Sequence, residues 1–344
     1  MSFGSFSDKT YLIAEAGVNH NGSLETALKL CEIAKNVGAN AIKFQTWVTE
    51  NIVIKGAPQA IYQELNTNKV RDQYSLLKEL ELSFDKFEKI FNYCKSIDLE
   101  FLSTPDDLES LNFLVKKIGL TKIKIGSGEV TNIPFLRKIG EISDQIILST
   151  GMCEMKDINY AIKALGTPEK NKLAILHCTS SYPCPYEYVN LDVISTFKKE
   201  FDYQIGYSDH TLGISIAIGA VALGASVIEK HFTLDKNMSG PDHKLSLEPQ
   251  EFRKMSDQIR IIEKAKGKEI KTIQEVEKDS RKKVTKMIVA RNQIKKGSII
   301  DESCISLLRT GDYGLNGQDW DQLIGKRSSR SYEKNELIDK IELK

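Results

Sequence analysis

Eight short apolar runs recur along the chain, at residues 11–16, 39–45, 99–104, 122–127, 145–150, 172–178, 203–208 and 226–231. Each closes on a polar cluster, in order EAGVNHNG, KFQTW, STPDD, GSGE, STGM, HCTSSYP, GYSDH and EKHF. Such runs predict buried strands. Between most of them the apolar spacing changes to that of an amphipathic helix. Ser23 is placed to cap a helix over 24–37, with Leu24, Ala27, Leu28, Cys31 and Ala34 on one face and Gly38 as the stop. Ser83 opens another, with Phe84, Phe87, Ile90, Phe91 and Cys94 at helical spacing, and Thr104-Pro105-Asp106-Asp107 opens a third. Segments near 132–139, 155–165, 191–199, 212–223 and 248–265 complete the alternation. Together they predict an α/β fold, a (β/α)8 TIM barrel, whose chemistry sits at the C-terminal ends of the strands.

Two stretches break the alternation. About forty residues separate the strand ending at Gln45 from the helix near Phe84, long enough for a functional lid, with part of it (74–82) helical. After Ala265 the barrel pattern stops. Residues 267–283 are strongly charged and read as a linker, and 284–344 alternate short apolar runs with turns. The expected organisation is a catalytic barrel over 1–266 and a β-rich module of roughly 60 residues, marginal on its own. At 344 residues the chain exceeds the roughly 250 of a barrel, which leaves room for that module.

Charge then narrows the function classes. The 48 Lys and Arg against 47 Asp and Glu leave a net charge of +1, which gives no support for a nucleic-acid or anionic-membrane partner. Cys31, Cys94, Cys153, Cys178, Cys184 and Cys304 form no CxxC pair and read as reduced thiols of a cytoplasmic protein. No apolar segment approaches the ~20 residues of a membrane span. The opening MSFGSFSDKT lacks the pattern of a secretory signal.

The strand ends carry the candidate chemistry. Lys43 and Lys124 lie just before the ends of apolar strands, where a Lys needs an anion, a Schiff base or a carboxylate partner. With Thr104, Ser208 and the Gly126-Ser127-Gly128 turn they suggest a phosphate or carboxylate site; the plain alternative is a Lys–Glu pair with Glu15 or Glu129. His210 and His231 end neighbouring strands and could share a divalent ion with open positions, or be hydrogen-bonded rim residues. Asp209 and Asp242-His243 lie beside them. A nucleophile pair of His177 and Cys178 is weakened because adjacent strand residues face opposite ways. Glu15, Glu129 and Asp242 could act as general base or bind hydroxyls, Gln45 and Tyr182 suit hydroxyl or amide recognition, and Asn19-His20-Asn21-Gly22 can be a turn with a helix cap.

The runs AEAGVNHNGSLE, KFQTW, KIGSGEVTNIP, STGM, HCTSSYP, GYSDHTLG, VALGASVIEKHFTLDKNMSGPDH and LSLEP follow one another as in the sialic acid (N-acetylneuraminate) synthase family. The resemblance covers nearly the whole chain, and the C-terminal module resembles the antifreeze-like (SAF, β-clip) domain of these synthases. It implies condensation of phosphoenolpyruvate with an N-acetylated mannose-type sugar, N-acetylmannosamine in the first instance. It also implies that Lys43, Thr104, Lys124, Ser127, Ser180 and Ser208 hold phosphoenolpyruvate, Ser180 standing where the family often has Asn. His210 and His231 would bind a divalent metal, Mn2+ by type, with Mg2+ or Co2+ as alternatives. Gln45, Asn68, Glu129, Tyr182 and Asp242 would hold the open-chain sugar, and Glu15 would manage a proton. Arg309 matches an Arg that reaches the partner subunit's site, which implies a domain-swapped homodimer.

Three rivals follow. Close relatives make legionaminic acid from 2,4-diacetamido-2,4,6-trideoxymannose and share the KFQ and GPDH runs. A Schiff-base aldolase would use Lys124 or Lys43 without metal. A non-catalytic carbohydrate- or ice-binding protein is suggested only by the antifreeze-like module.

Overall fold

The computed structural model describes residues 9–67 and 70–343. It divides into two units, Met1–Gly267 and Lys268–Lys344. Among the described residues the first holds eight strands: β1 (Tyr11–Gly17), β2 (Ala41–Thr46), β3 (Glu100–Pro105), β4 (Lys122–Ile125), β5 (Gln145–Ser149), β6 (Leu173–Cys178), β7 (Gln204–Asp209) and β8 (Val227–His231). They form one parallel sheet in the order β3-β2-β1-β8-β7-β6-β5-β4. β3 and β4 lie against each other at the seam, so the sheet closes into the expected barrel.

Eleven helices accompany these strands in the described residues: α1 (Leu24–Asn36), α2 (Thr49–Ile52), α3 (Ile61–Thr67), α4 (Gln73–Leu80), α5 (Phe84–Ser96), α6 (Leu108–Asn112), α7 (Ile133–Ile142), α8 (Met155–Ala164), α9 (Val193–Glu200), α10 (Ser215–Ala222) and α11 (Pro249–Lys266). Local chemistry sets their starts. The Ser23 hydroxyl accepts from Thr26 N at 3.2 Å ahead of α1, and Asp107 accepts from Ser110 N at 3.0 Å ahead of α6. α11 opens with a capping box between Glu248 and Glu251 and Pro249 in its first turn. The face α1 buries is Ala27, Leu30, Cys31 and Ala34; Leu24 and Leu28 are only partly covered. Between strands and helices lies the main core, with Ile42, Phe44, Phe87, Ile90 and Phe252 fully buried. Each such side chain contributes about 1.5–3 kcal/mol relative to exposure.

Inside the barrel the period-two alternation of the strands sorts chemistry by height. Ile13, Ala41, Leu102, Ile147, Leu176 and Val227 share an apolar plug. Two residues further along the same strands stand Glu15, Lys43, Thr104, Ser149, Cys178 and Glu229. The polar layer is therefore aimed inward, at the end of the barrel where the loops build a site.

The long β2–α5 connection is not a bare loop. It carries α2, α3 and α4, of which α4 was legible in outline. Asp72 caps α4 by accepting from Ser75 N at 3.0 Å. Leu76 and Leu80 of α4 pack with Val18 and Trp47 as a separate apolar cluster.

In the second unit, α12 (Lys278–Val284) occupies about the last third of the stretch expected to be linker. β9 (Lys286–Ala290) and β10 (Ile305–Arg309) pair antiparallel, and isolated bridges such as Ile294 to Tyr332 and Ile299 to Arg327 extend the pairing. α13 (Trp320–Leu323) adds Leu323 to a core with Ile288, Ala290, Ile305, Leu315 and Tyr332. Among the described residues no helix is long and apolar enough to cross a membrane.

Candidate active site

A cavity of about 650 Å³ opens at the C-terminal ends of the strands. Its floor is the polar layer of the barrel. Lys43 on β2 lies 2.8 Å from Glu15 on β1 and 3.9 Å from Glu229 on β8, and donates to the Thr104 hydroxyl on β3 at 3.1 Å. Lys124 on β4 lies 3.5 Å from Glu229. The Ser208 hydroxyl on β7 donates to Glu229 at 2.9 Å. The carboxylate pairing weighed as the alternative to an anion site is thus present, with Glu229 rather than Glu129 as second partner.

The two floor carboxyls are driven apart. Burial raises Glu15 to about 7 despite the attraction of Lys43, and Glu229 adds to the rise. Burial also works against the Glu229 carboxylate, but Lys124 and Lys43 outweigh it and hold the group below its ordinary range. Burial pulls Lys124 down, with Glu229 partly offsetting it, while Glu15 and Glu229 keep Lys43 raised against the same burial. Two lysines therefore face one firmly ionised carboxylate and one that exchanges a proton near neutrality. The floor has positive charge to spare for an anion, and one Glu229 oxygen is buried without a hydrogen-bond partner, 3.9 Å from Lys43.

Beside the lysines is a hydroxyl cradle. The Ser127 hydroxyl accepts from Gly151 N at 2.8 Å, and a side chain at Gly151 would collide with the Ser180 hydroxyl and stand 3.3 Å from Cys178. Glycine there lets backbone and hydroxyls converge on one small volume, as an oxyanion requires.

Across the floor, the rings of His210 and His231 lie 5.4 Å apart. The Thr179 carbonyl accepts from His210 Nδ1 at 2.8 Å, leaving Nε2 without a protein partner among the described residues. Burial works against the His210 imidazolium, but Cys178 and the Thr179 carbonyl draw it up to about 8. Burial and the neighbouring His210 keep His231 neutral, and its Nδ1 is buried without a partner. His231, neutral and with an orphaned ring nitrogen, fits a cation ligand; His210 offers its open Nε2 once it has given up its proton. Among the described residues no cluster of three His, Cys, Asp or Glu surrounds the pair, so a cation there would complete its shell with substrate oxygens and water.

The rim has two characters. Gln45, Glu129, Tyr182 and Asp242 line the polar side, and burial raises Asp242 to about 6. Tyr182 packs 4.1 Å from the His210 ring and stacks on Tyr62 of α3 at 4.8 Å. Asn66 of α3 donates to the Pro241 carbonyl at 2.6 Å, tying the long connection to the loop that carries Asp242. The same cavity is also lined by an apolar cluster: Val18, Trp47, Ile52, Leu76, Leu77 and Leu80.

Glu15, Lys43, Gln45, Thr104, Lys124, Ser127, Glu129, Ser180, Tyr182, Ser208, His210, His231 and Asp242 thus line one cavity. Asn68 lies outside the described residues. Arg309 ends β10 in the second unit and is exposed. His177 faces away from the cavity toward Phe197 and Tyr207, while Cys178 faces inward, 3.7 Å from His210. Asp209 also points away and pairs with Lys230 at 2.8 Å. His243 bonds Thr233, and His20 accepts from Gly22 N at 3.0 Å, so both belong to the loop scaffold. Sequence reasoning missed Glu229, although counting back two positions from His231 places it on the inward face. It also missed Asp106, raised to about 7 by burial and by Glu129.

The sequence model of the NeuB family matches residues 30–271. The chain is 44% identical over 332 residues to the N,N'-diacetyllegionaminic acid synthase of Campylobacter jejuni, covering 96% of this chain and 99% of that one. It is 33% identical over 330 residues to the human N-acetylneuraminate-9-phosphate synthase, covering 95% and 91%. The fold matches the crystal structure of the N-acetylneuraminic acid synthetase from Leptospira borgpetersenii, in complex with citrate, with a TM-score of 0.70 at 33% identity over 80% of this chain and 92% of that one.

Proposed function

The chain belongs to the NeuB family, and from that premise we propose that this nonulosonic acid synthase condenses phosphoenolpyruvate with 2,4-diacetamido-2,4,6-trideoxymannose. The observation that carries the choice of sugar is the two-sided rim. Glu129, Asp242, Gln45 and Tyr182 offer hydrogen bonds to hydroxyl and acetamido groups, and the Leu76, Leu77 and Ile52 wall offers an apolar surface suited to the methyl end of a 6-deoxy sugar. Among the described lining residues the lysines are Lys43 and Lys124, both on the floor, where they serve the anionic substrate rather than a phosphate on the sugar. The higher identity to the legionaminic acid synthase than to the 9-phosphate synthase supports the same branch.

Lys43 and Lys124 fix the carboxylate and phosphate of phosphoenolpyruvate, helped by the hydroxyls of Thr104, Ser127, Ser180 and Ser208, so positioning supplies much of the rate gain. His210 and His231 would hold a divalent cation, Mn2+ on the family pattern, which when bound supplies Lewis-acid polarisation of the sugar carbonyl. The methylene carbon of phosphoenolpyruvate bonds to the sugar C1, whose oxygen takes up a proton. Glu229, held ionised, faces the positive charge that develops at the enol carbon. Water adds there, and Glu15, poised near neutrality, accepts its proton. The C–O bond to phosphate then breaks, the phosphate leaving with the bonding electron pair and the proton of the new hydroxyl, so that a ketone and inorganic phosphate remain. Arg309 contributes through a domain-swapped homodimer, and the second unit serves as its antifreeze-like module; mixing Lys124→Ala and Arg309→Ala subunits should then restore part of the activity that each variant lacks.

Phosphoenolpyruvate carrying 18O at the bridging oxygen tests this chemistry. The label leaves with phosphate if the C–O bond breaks; label kept in the nine-carbon acid refutes the scheme.

A further inference from the structure

The floor of the cavity has an outer counterpart that no step above uses. In the parallel ladder of β7 and β8, Ser208 stands opposite Glu229 and Asp209 opposite Lys230. The first rung faces the cavity and is closed by the Ser208–Glu229 hydrogen bond. The second faces outward and is closed by the Asp209–Lys230 ion pair, both side chains fully buried. The next residue along the chain is His210 just past β7 and His231 at the end of β8. Each imidazole therefore follows one member of the buried pair.

The pair also grips the chain beyond the strand. Asp209 Oδ1 accepts from Thr211 N at 2.8 Å, and Lys230 Nζ donates to the Thr211 carbonyl. β7 ends at Asp209, so His210 has no ladder partner of its own. Its own carbonyl accepts from Cys184 N at 2.9 Å, and its two chain neighbours are held as well, Asp209 by Lys230 and Thr211 by both. A buried ion pair adds little net stability over apolar side chains of the same size, because desolvation consumes its Coulomb energy. Its placement one residue below both imidazoles calls for another reason.

We propose that Asp209 and Lys230 are positioning residues that set the spacing and aim of His210 and His231 for one divalent cation. The inference rests on the reading of those two histidines as cation ligands. Such a ligand is commonly oriented by neighbours that never touch the ion, and losing them weakens metal affinity 10–100-fold.

The test is Mn2+ affinity of the metal-free protein, read from the electron paramagnetic resonance signal of free aqueous Mn2+. Lys230→Met and the apolar pair Asp209→Leu/Lys230→Met are compared with wild type, with Asp209→Asn as the mildest change. The expected result is a 10–100-fold rise in the Mn2+ dissociation constant, an unchanged calorimetric affinity for phosphoenolpyruvate, and cooperative melting. A folded double variant that binds Mn2+ within about threefold of wild type overturns the proposal, as does equal loss of Mn2+ and phosphoenolpyruvate affinity. If the double variant does not fold, Asp209→Asn decides by the same two criteria. His231→Ala separates the layers: if it too binds Mn2+ like wild type, the ligand reading has failed and not the positioning.

Discussion

Glu15→Gln keeps the shape of the side chain and removes one ionisable group from the barrel floor. The folded chain holds the Glu15 proton up to about pH 7, against an ordinary value of 4.5. That gap corresponds to about 3 kcal/mol between the two protonation states. The folded state binds the proton more tightly than the unfolded chain, so the stability it confers is fully present below pH 4.5. That stability is lost as pH rises through 7. Glutamine does not titrate, and Lys43 stays charged across this range. The stability of Glu15→Gln relative to wild type should therefore increase by about 2–3 kcal/mol from pH 5 to pH 8. Urea unfolding of the two metal-free proteins at both pH values reads it directly. If Glu15 also takes the proton of the adding water, the variant loses about 10²–10⁴-fold in phosphate release while its fold becomes firmer above pH 7. A stability difference that is flat between pH 5 and 8 would refute the electrostatic account of the floor. Full activity would refute the proton role.

Other substitutions test separate parts. Glu229→Gln strips Lys124 of the carboxylate that opposes its burial; phosphoenolpyruvate affinity by calorimetry should fall at least about tenfold, about 1.4 kcal/mol, and fall further as pH rises. Unchanged affinity would remove Glu229 from the anion site. His231→Ala should give a folded protein whose activity no longer responds to Mn2+, and a fully metal-dependent variant contradicts the ligand assignment. Gly206→Ala brings a Cβ within 2.6 Å of the Val227 carbonyl and against Leu176, so thermal unfolding should show a loss of about 1–3 kcal/mol; a neutral result would mean that β7 has slack.

How far the sequence revealed this arrangement depends on which physics each part obeys. Barrel strands and helices announce themselves because one buried face per element leaves a period in the sequence. Lys43 and Lys124 stand out because a lysine inside an apolar strand needs a partner. The partner itself does not stand out: Glu229 meets Lys124 across the barrel, far from it in sequence, and only the register of the strands brings them together. Asp209 and His210 look equivalent in sequence, yet one residue of phase sends the first outward to Lys230 and the second inward to His231. The sequence places Leu76, Leu77 and Leu80 in a helical lid but not in a cavity wall, because an amphipathic pattern does not say whether its apolar face meets a core or a ligand. The β-rich reading of the C-terminal module met a thinner outcome, one strand pair with isolated bridges, since turns and apolar pairs mark compactness without fixing a ladder.

The most direct test is steady-state phosphate release from phosphoenolpyruvate with Mn2+, offering 2,4-diacetamido-2,4,6-trideoxymannose, N-acetylmannosamine and N-acetylmannosamine 6-phosphate in parallel. The account predicts the highest kcat/KM for the diacetamido sugar, with the phosphorylated sugar the poorest. A preference for the phosphorylated sugar, or no phosphate release with any of the three from folded protein, would contradict it.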